Sequence, residues 1–187
     1  MQYDWAFFQT NRIINILKKE CPDVVHLHCI NGNNINIFRL YRFLSKNRIK
    51  TVLTLHAEFP YTGGCGHAYD CEKWKKGCGH CPIRKEATQS LIFDLTARTW
   101  RKLEKSYSTF KPRLLHITAV SPWLLSRANQ SPLLVGFSKS VVFNGVDKNI
   151  FHYRSDSCQK WRKKLDITNE RIILFVTTSF YPTRKSL

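Results

Sequence analysis

Four of the seven cysteines lie close together, in the stretch CGHAYDCEKWKKGCGHC. Thiolate sulfurs are preferred ligands of zinc, and a structural zinc site takes four ligands in a tetrahedron. Two residues separate Cys78 from Cys81, and Gly79 between them allows the tight turn that brings two sulfurs to one ion. The pattern predicts a structural zinc ion held by Cys65, Cys71, Cys78 and Cys81.

The first pair leaves alternatives open. Cys65 and Cys71 are farther apart than in a standard zinc knuckle, so His67 or His80 could replace one of them. Reduced thiols without metal and disulfides are the other possibilities, although clustered thiols in a reducing cytosol are more often metal ligands. Residues 57–87 show no helix or strand period, and we expect this loop to need a metal to fold. The remaining cysteines are expected to be buried as small apolar residues: Cys21, Cys29 and Cys158.

The charge of the chain indicates an anionic partner. Its 187 residues carry a formal net charge of +17, with a sequence pI of about 9.8. The N-terminal residues lack the apolar region of a signal peptide, and no apolar run approaches the ~18 residues that span a bilayer. We therefore expect a cytoplasmic protein, whose basic helices bind either the anionic inner face of the membrane or nucleic acid.

Helical and strand patterns alternate along the chain. Predicted helices cover residues 9–20, 35–47, 90–108, 121–130 and 155–165. Predicted strands cover residues 23–28, 51–56, 114–120, 140–146 and 171–178, and each is short, apolar and rich in β-branched residues. Every predicted strand has the apolar pattern of a strand buried on both faces, and such strands alternating with helices indicate a parallel sheet. The predicted fold class is α/β, a Rossmann-like parallel sheet with helices on both faces.

Ligands of such sheets bind at the carboxyl ends of the strands, so polar residues there are candidates for a site. His56 ends the second predicted strand and is the candidate catalytic residue. His26 and His28 are expected to point to opposite sides of the first strand, each in a packing role. Asn144 and Gly145 are expected to form a tight turn with a positive φ at the glycine.

Several motifs occur in an order that resembles one enzyme family. They are PDVVHLHCINGNNINI, TLHAEFPYTGGC, CEKWKKGCGHCP, TAVSPWLL, VVFNGVDKNIF and RKSL. Together they are similar to glycosyltransferase family 4, in the bacterial branch that builds surface polysaccharides, from about residue 10 to the last residue. The resemblance implies a GT-B fold, in which two Rossmann-like domains face a cleft, and an enzyme that retains the anomeric configuration of the sugar.

The resemblance also assigns domains and residues. Residues 1–147 would form an incomplete acceptor-side domain, and residues 148–187 a linker with the first strand of a truncated donor-binding domain. Arg184 and Lys185 match the basic pair that binds the donor diphosphate, so no catalytic divalent metal is expected. His56 matches a histidine that reaches the acceptor or the donor phosphate, although Ala57 replaces the aspartate that follows it in the family.

The expected partners are a nucleotide-sugar donor, a glycan or lipid-linked acceptor and the anionic membrane surface. Cysteines among lysines and aromatic residues also resemble a nucleic-acid-binding zinc module, and this is the alternative function. No recognition helix is predicted after the cysteines, so we expect no nucleic acid. A cysteine hydrolase is the weakest alternative, because no cysteine has an evident His and Asp pair.

Overall fold

A computed structural model describes residues 6–30, 34–85, 92–174 and 176. The chain divides into two compact units, Met1–Asn144 and Gly145–Leu187. No helix among the described residues is long and apolar enough to cross a membrane.

The first unit contains a parallel sheet of four strands. These are β1 (Val24–His28), β2 (Lys50–Leu55), β3 (Leu115–Ala119) and β4 (Ser138–Val141), and they lie in the order β1-β2-β3-β4. Every neighbouring pair is parallel. The predicted α/β class with a Rossmann-like parallel sheet is therefore confirmed.

Four helices with assigned bounds connect or precede these strands among the described residues of this unit. They are α1 (Phe7–Glu20), α2 (Ile37–Lys46), α3 (Thr96–Tyr107) and α4 (Pro122–Asn129). The side chain of Asn36 caps α2 by accepting a hydrogen bond from the Arg39 N–H, and the Ser121 hydroxyl caps α4 in the same way. Both residue types are favoured at this position because they satisfy a free N–H of the first helical turn.

The hydrophobic core lies on one face of the sheet. The core residues of the strands all belong to one alternating set, and because strand side chains alternate they share a face: Val25, Leu27, Leu53, Leu55, Leu115, Ile117 and Ala119. All four helices contribute buried residues to the same cluster. Right-handed crossovers between successive neighbouring strands explain this arrangement, since they place the connecting helices on the same side. Helices on a second face are not seen among the described residues of this unit.

The opposite face of the sheet is polar. Thr54 and Thr118 lie there in register on β2 and β3, opposite His28 of β1, and His26, His116 and Ser138 are on the same face. Burial alternates along β1, and β4 is exposed or half-buried throughout. The expectation that every strand is buried on both faces is therefore wrong for β1 and β4, where apolar and polar positions were read together as one apolar run.

The second unit contains one described helix, α5 (Ser155–Lys164), which buries none of its residues. A strand was predicted over residues 171–178, but residues 171–174 and 176 are not in a strand. A lone apolar segment without a neighbouring strand leaves its backbone N–H and C=O groups unpaired, and this explains why a β-prone sequence alone does not produce one.

Candidate functional site

A row of polar side chains crosses the carboxyl-terminal end of the sheet on its polar face. His56 Nε2 lies 3.0 Å from His28 Nδ1, and His28 Nε2 lies 3.4 Å from His26 Nδ1. His26 Nε2 lies 2.7 Å from Thr54 Oγ1, which is 2.6 Å from Thr118 Oγ1. We call His26, His28 and His56 the histidine row. A continuous set of hydrogen bonds therefore joins three strands.

The prediction that His26 and His28 point to opposite sides of β1 is wrong. Their rings are 4.1 Å apart, and both lie on the face that β1 exposes. Residues two positions apart in a strand share a face, because the side-chain period of a strand is two. The same period places His26 beside Thr54 of the neighbouring strand and brings His28 to the end of the sheet, next to His56.

The bonds of the histidine row agree with two sets of tautomers, which donate in opposite directions along the row. If His56 donates from Nε2 to His28, His28 can donate from Nε2 to His26, which can then donate from Nε2 to Thr54. His56 Nδ1 then carries a free lone pair. Burial and the nearby His28 ring lower the pKa of His26 below its ordinary value of 6.5, because both disfavour the charged imidazolium.

A cavity of about 130 Å³ lies beside His56 at the end of β2. Its lining is mainly apolar and includes Ile37, Tyr41 and Phe59. The polar groups that reach it are few, and His56 is one of them. A pocket of this kind, at the carboxyl ends of parallel strands, is where α/β sheets bind ligands.

Glu58 connects the cysteine loop to α4 through hydrogen bonds and an ion pair. Its side chain is fully buried, and it accepts hydrogen bonds from the Tyr61 hydroxyl at 3.0 Å and the Ala68 N–H at 2.6 Å. Arg127 Nε on α4 completes the set at 2.7 Å. A buried carboxylate is stable only when it is paired and hydrogen-bonded, and these three donors satisfy it.

The Arg127 guanidinium also stacks on two tryptophans. It lies 5.1 Å from the Trp74 ring of the loop and 5.5 Å from the Trp123 ring of α4. Trp74 and Tyr61 are almost completely buried, with ring centroids 5.2 Å apart. The loop therefore contributes these two side chains to the hydrophobic core of the domain.

The four clustered cysteines line one small cavity of about 20 Å³, together with Trp74 and Thr96. All four are free thiols, from half-buried to buried. Cys65, Cys71, Cys78 and Cys81 are thus brought together as predicted from their spacing. In the described parts of the chain, however, no three His, Cys, Asp or Glu side chains are already arranged as metal ligands.

Backbone and side-chain hydrogen bonds shape the turn that carries the last two of these cysteines. The Gly63 N–H donates to Cys78 Sγ at 3.2 Å, the Gly79 N–H to Thr96 Oγ1 at 3.0 Å and the Cys81 N–H to Asp94 Oδ2 at 2.6 Å. Burial raises the pKa of the Cys65 thiol to about 11 and that of Cys78 to about 12. Without a metal, these two thiols are therefore protonated at neutral pH.

The three other cysteines were predicted to be buried, and this is wrong. Cys21, Cys29 and Cys158 are all exposed. Cys21 follows the last turn of α1 and Cys29 follows β1, both with positive φ, so each lies where the chain leaves a regular element at the surface. The sequence signal for burial was only the general preference of cysteine for protein interiors.

A basic groove runs between α2 and α3. Its cavity of about 410 Å³ is lined by Arg39, Arg42, Lys102 and Lys105, among others. Lys102 lies over the ring of Phe38, with 5.3 Å from Nζ to the centroid. Basic residues of α2 and α3 therefore form one continuous surface.

Of the two remaining candidate sites, the basic pair lies outside the described residues and the Asn-Gly turn is not formed as predicted. Arg184 and Lys185 lie outside the described residues. No turn is assigned at Asn144 and Gly145, and Gly145 does not have a positive φ. The backbone there is irregular, because β4 ends at Val141, five residues before the predicted end.

Sequence reasoning missed Glu58 and Arg127. Glu58 stands two residues beyond His56, so its position near the end of a strand was a signal that went unused. No sequence signal pointed to Arg127. The pattern of an amphipathic helix does not show which of its basic residues contacts a carboxylate 69 positions away.

The chain matches no protein-family model, no curated protein and no solved structure. What can be inferred about its function therefore rests on its own motifs and geometry.

Proposed function

We propose that this chain contributes the acceptor-side domain of a glycosyltransferase. The enzyme would transfer a sugar from a nucleotide-sugar donor to a glycan or lipid-linked acceptor, with retention of configuration, at the cytoplasmic face of a bacterial membrane. The resemblance of the ordered motifs to glycosyltransferase family 4 motivates the proposal. The observation that carries it is the position of His56, beside an apolar pocket at the carboxyl end of β2.

In this proposal the histidine row fixes the orientation of the His56 ring. The bond between His28 Nδ1 and His56 Nε2 holds the imidazole ring and leaves His56 Nδ1 for a ligand. With Nδ1 unprotonated, His56 can accept a hydrogen bond from an acceptor hydroxyl. In the opposite tautomer it can donate to a phosphate oxygen of the donor. The apolar walls around it would strengthen either hydrogen bond, because they exclude water.

Arg184 and Lys185 have the role of binding the donor diphosphate. Two cations at the leaving group neutralise the negative charge that grows as the glycosidic bond breaks, and so make a divalent metal unnecessary. Each charged hydrogen bond of this type contributes about 1.5–3 kcal/mol to binding.

The basic groove of α2 and α3 supports a membrane-surface location for this reaction. Nucleic acid is the competing partner for such charge. Among the described residues of the cysteine loop, Phe59–Tyr61 and Lys73–Lys75 form 3₁₀ turns, and Arg84 and Lys85 are helical.

The test compares ligands on the full-length enzyme that contains this chain. UDP-glucose, UDP-galactose, GDP-mannose and a 20-nucleotide RNA would be titrated calorimetrically at physiological salt, and release of nucleoside diphosphate would then be measured with a bacterial lipid extract as acceptor. We expect one nucleotide sugar to bind. Arg184→Ala with Lys185→Ala should weaken its binding at least tenfold, whereas His56→Ala should lower transfer and leave donor affinity unchanged.

Matched controls separate these roles from loss of charge or of a histidine. Lys163→Ala with Lys164→Ala removes two cations from α5, and His116→Ala removes a histidine whose ring bonds Ser138 and Ser140 on the same sheet face. Both controls should retain donor affinity and transfer. Tight RNA binding without affinity for any nucleotide sugar would overturn the proposal in favour of a nucleic-acid-binding protein.

A further inference from the structure

The cavity of the cysteine loop has the chemistry of a soft metal site. Four thiols meet at one cavity of about 20 Å³, slightly more than the roughly 10–15 Å³ that a single water-sized sphere occupies. The cysteines come from separate turns of the loop and none forms a disulfide. Soft thiolates in fours select zinc over harder cations such as magnesium and calcium.

We propose that Cys65, Cys71, Cys78 and Cys81 bind one structural zinc ion. On binding, each thiol loses its proton to solvent and each thiolate gives an electron pair to Zn²⁺, with no change in oxidation state. The four sulfurs line the cavity without yet converging as ligands, so binding requires rotation of their side chains. Four protein ligands leave no open position for water or substrate, and the ion is therefore structural rather than catalytic.

The turn at the second pair is already formed. Cys78, Gly79 and His80 have φ values of 54°, 105° and 45°, a left-handed run that folds the chain tightly between the two cysteines. The Gly63 N–H already points to Cys78 Sγ. An N–H that donates to sulfur stabilises the thiolate form, and such donors commonly surround metal-bound thiolates.

Two further features suit a negatively charged centre. Trp74 lines the cavity, and its buried Nε1–H has no hydrogen-bond partner among the described residues, so a thiolate could become its acceptor. Lys73 lies at the cavity as well, and its ammonium group donates to the His80 carbonyl at 2.6 Å. A zinc ion with four thiolates has a net charge of about −2, which this lysine and its basic neighbours would offset.

The ion would stabilise one wall of the pocket beside His56. Gly66, next to Cys65, accepts a hydrogen bond from the Glu58 N–H at 2.8 Å, and Gly66 packs against the Phe59 ring so closely that a Cβ there would come within 2.7 Å of it. Phe59 also lines the pocket. A zinc ion at the cysteines would therefore stabilise the position of Phe59 and, with it, the shape of the pocket beside His56.

Metal analysis of the full chain, purified under reducing conditions without added metal, tests the proposal. We expect about one zinc per chain. Replacing zinc by Co²⁺ should give the intense sulfur-to-metal charge-transfer absorption of a tetrathiolate centre. A chelator should speed protease cleavage between residues 57 and 85 while the circular dichroism of the sheet and helices stays unchanged.

The chain offers a matched set of control variants. Cys81→Ser should lose the zinc, whereas Cys81→His should keep it, because imidazole is also a zinc ligand. This pair distinguishes loss of a ligand from simple misfolding. Single serine variants of the exposed Cys21, Cys29 and Cys158 should keep the full zinc content.

Three results would overturn the inference. One is a protein without metal in which all seven cysteines react as free thiols after unfolding. Another is zinc content that does not change in Cys81→Ser or Cys78→Ser, because the metal would then bind elsewhere. Disulfides among the four cysteines in freshly lysed cells would likewise exclude a zinc tetrathiolate.

Discussion

Arg127 and Glu58 lie 69 positions apart in the sequence, and Arg127 Nε donates a hydrogen bond of 2.7 Å to the fully buried carboxylate of Glu58. This ion pair joins α4 to the beginning of the cysteine loop. The same carboxylate accepts hydrogen bonds from the Ala68 N–H and the Tyr61 hydroxyl, so the pair fixes the loop at Glu58, Tyr61 and Ala68.

Breaking this ion pair should be costly. Arg127→Met keeps much of the side-chain volume but leaves the Glu58 carboxylate buried without its cation, and we expect a loss of about 3–5 kcal/mol in the free energy of unfolding. Urea denaturation measures it. Arg113→Met, at an exposed arginine, should change stability by less than about 0.5 kcal/mol.

A double variant tests whether the loss in free energy of unfolding comes from the unpaired Glu58 charge. Glu58→Gln combined with Arg127→Met should be less destabilised than the sum of the two single variants, because the uncompensated carboxylate is gone. Additive losses would show that the two side chains do not depend on each other.

The basic groove should bind anionic membranes. Vesicles containing phosphatidylserine should sediment the chain at low salt, and less of it at high salt, because screening weakens surface electrostatics. Each basic residue near such a surface contributes about 1 kcal/mol, so Arg39→Glu with Arg42→Glu should weaken binding by roughly 30-fold or more.

Lys18→Glu with Lys19→Glu is the control for this prediction. It changes the net charge equally, but on exposed residues of the last turn of α1, outside the groove. Equal losses in both variants would mean that only the overall charge matters. Binding that does not respond to salt would contradict an electrostatic mechanism.

The histidine row should make stability depend on pH. The folded pKa of His26 lies below its unfolded value, so the unfolded chain binds a proton more readily. The contribution of His26 is therefore complete above about pH 6.5 and is lost as the pH falls below it. His26→Asn should show a smaller decrease in unfolding free energy between about pH 7.5 and pH 5 than the wild-type chain. Identical pH profiles would exclude this role for His26.

The sheet was predictable because its strands are short apolar runs bounded by polar residues. The strand predicted over residues 51–56 corresponds to Lys50–Leu55, and the helix over residues 121–130 to Pro122–Asn129 with its serine cap. The fourth strand was placed too late, because the run VVF is more β-prone than Ser138–Val141, while the pairing register with β3 selects the earlier residues. Propensity cannot supply this register, which depends on the neighbouring strand.

The candidate site was predictable only in part. Cysteine spacing indicated four neighbouring thiols, which line one cavity, and the end of the apolar run over residues 51–56 placed His56 at the end of a strand. The histidine row needed the alternation rule for strand side chains, applied correctly to His26 and His28. Glu58 and Arg127 needed tertiary structure, since an ion pair between distant segments has no local pattern.

The long connection between β2 and β3 has a small entropic cost. Hydrogen-bonded side chains of β2 and β3 are 64 positions apart, at Thr54 and Thr118, whereas those of β3 and β4 are 22 apart, at His116 and Ser138. Loop-closure entropy grows only with the logarithm of length, so the longer connection costs about 1 kcal/mol more than the shorter one. The segment that carries the cysteines and α3 is thus a module that the sheet can accommodate with little loss of stability.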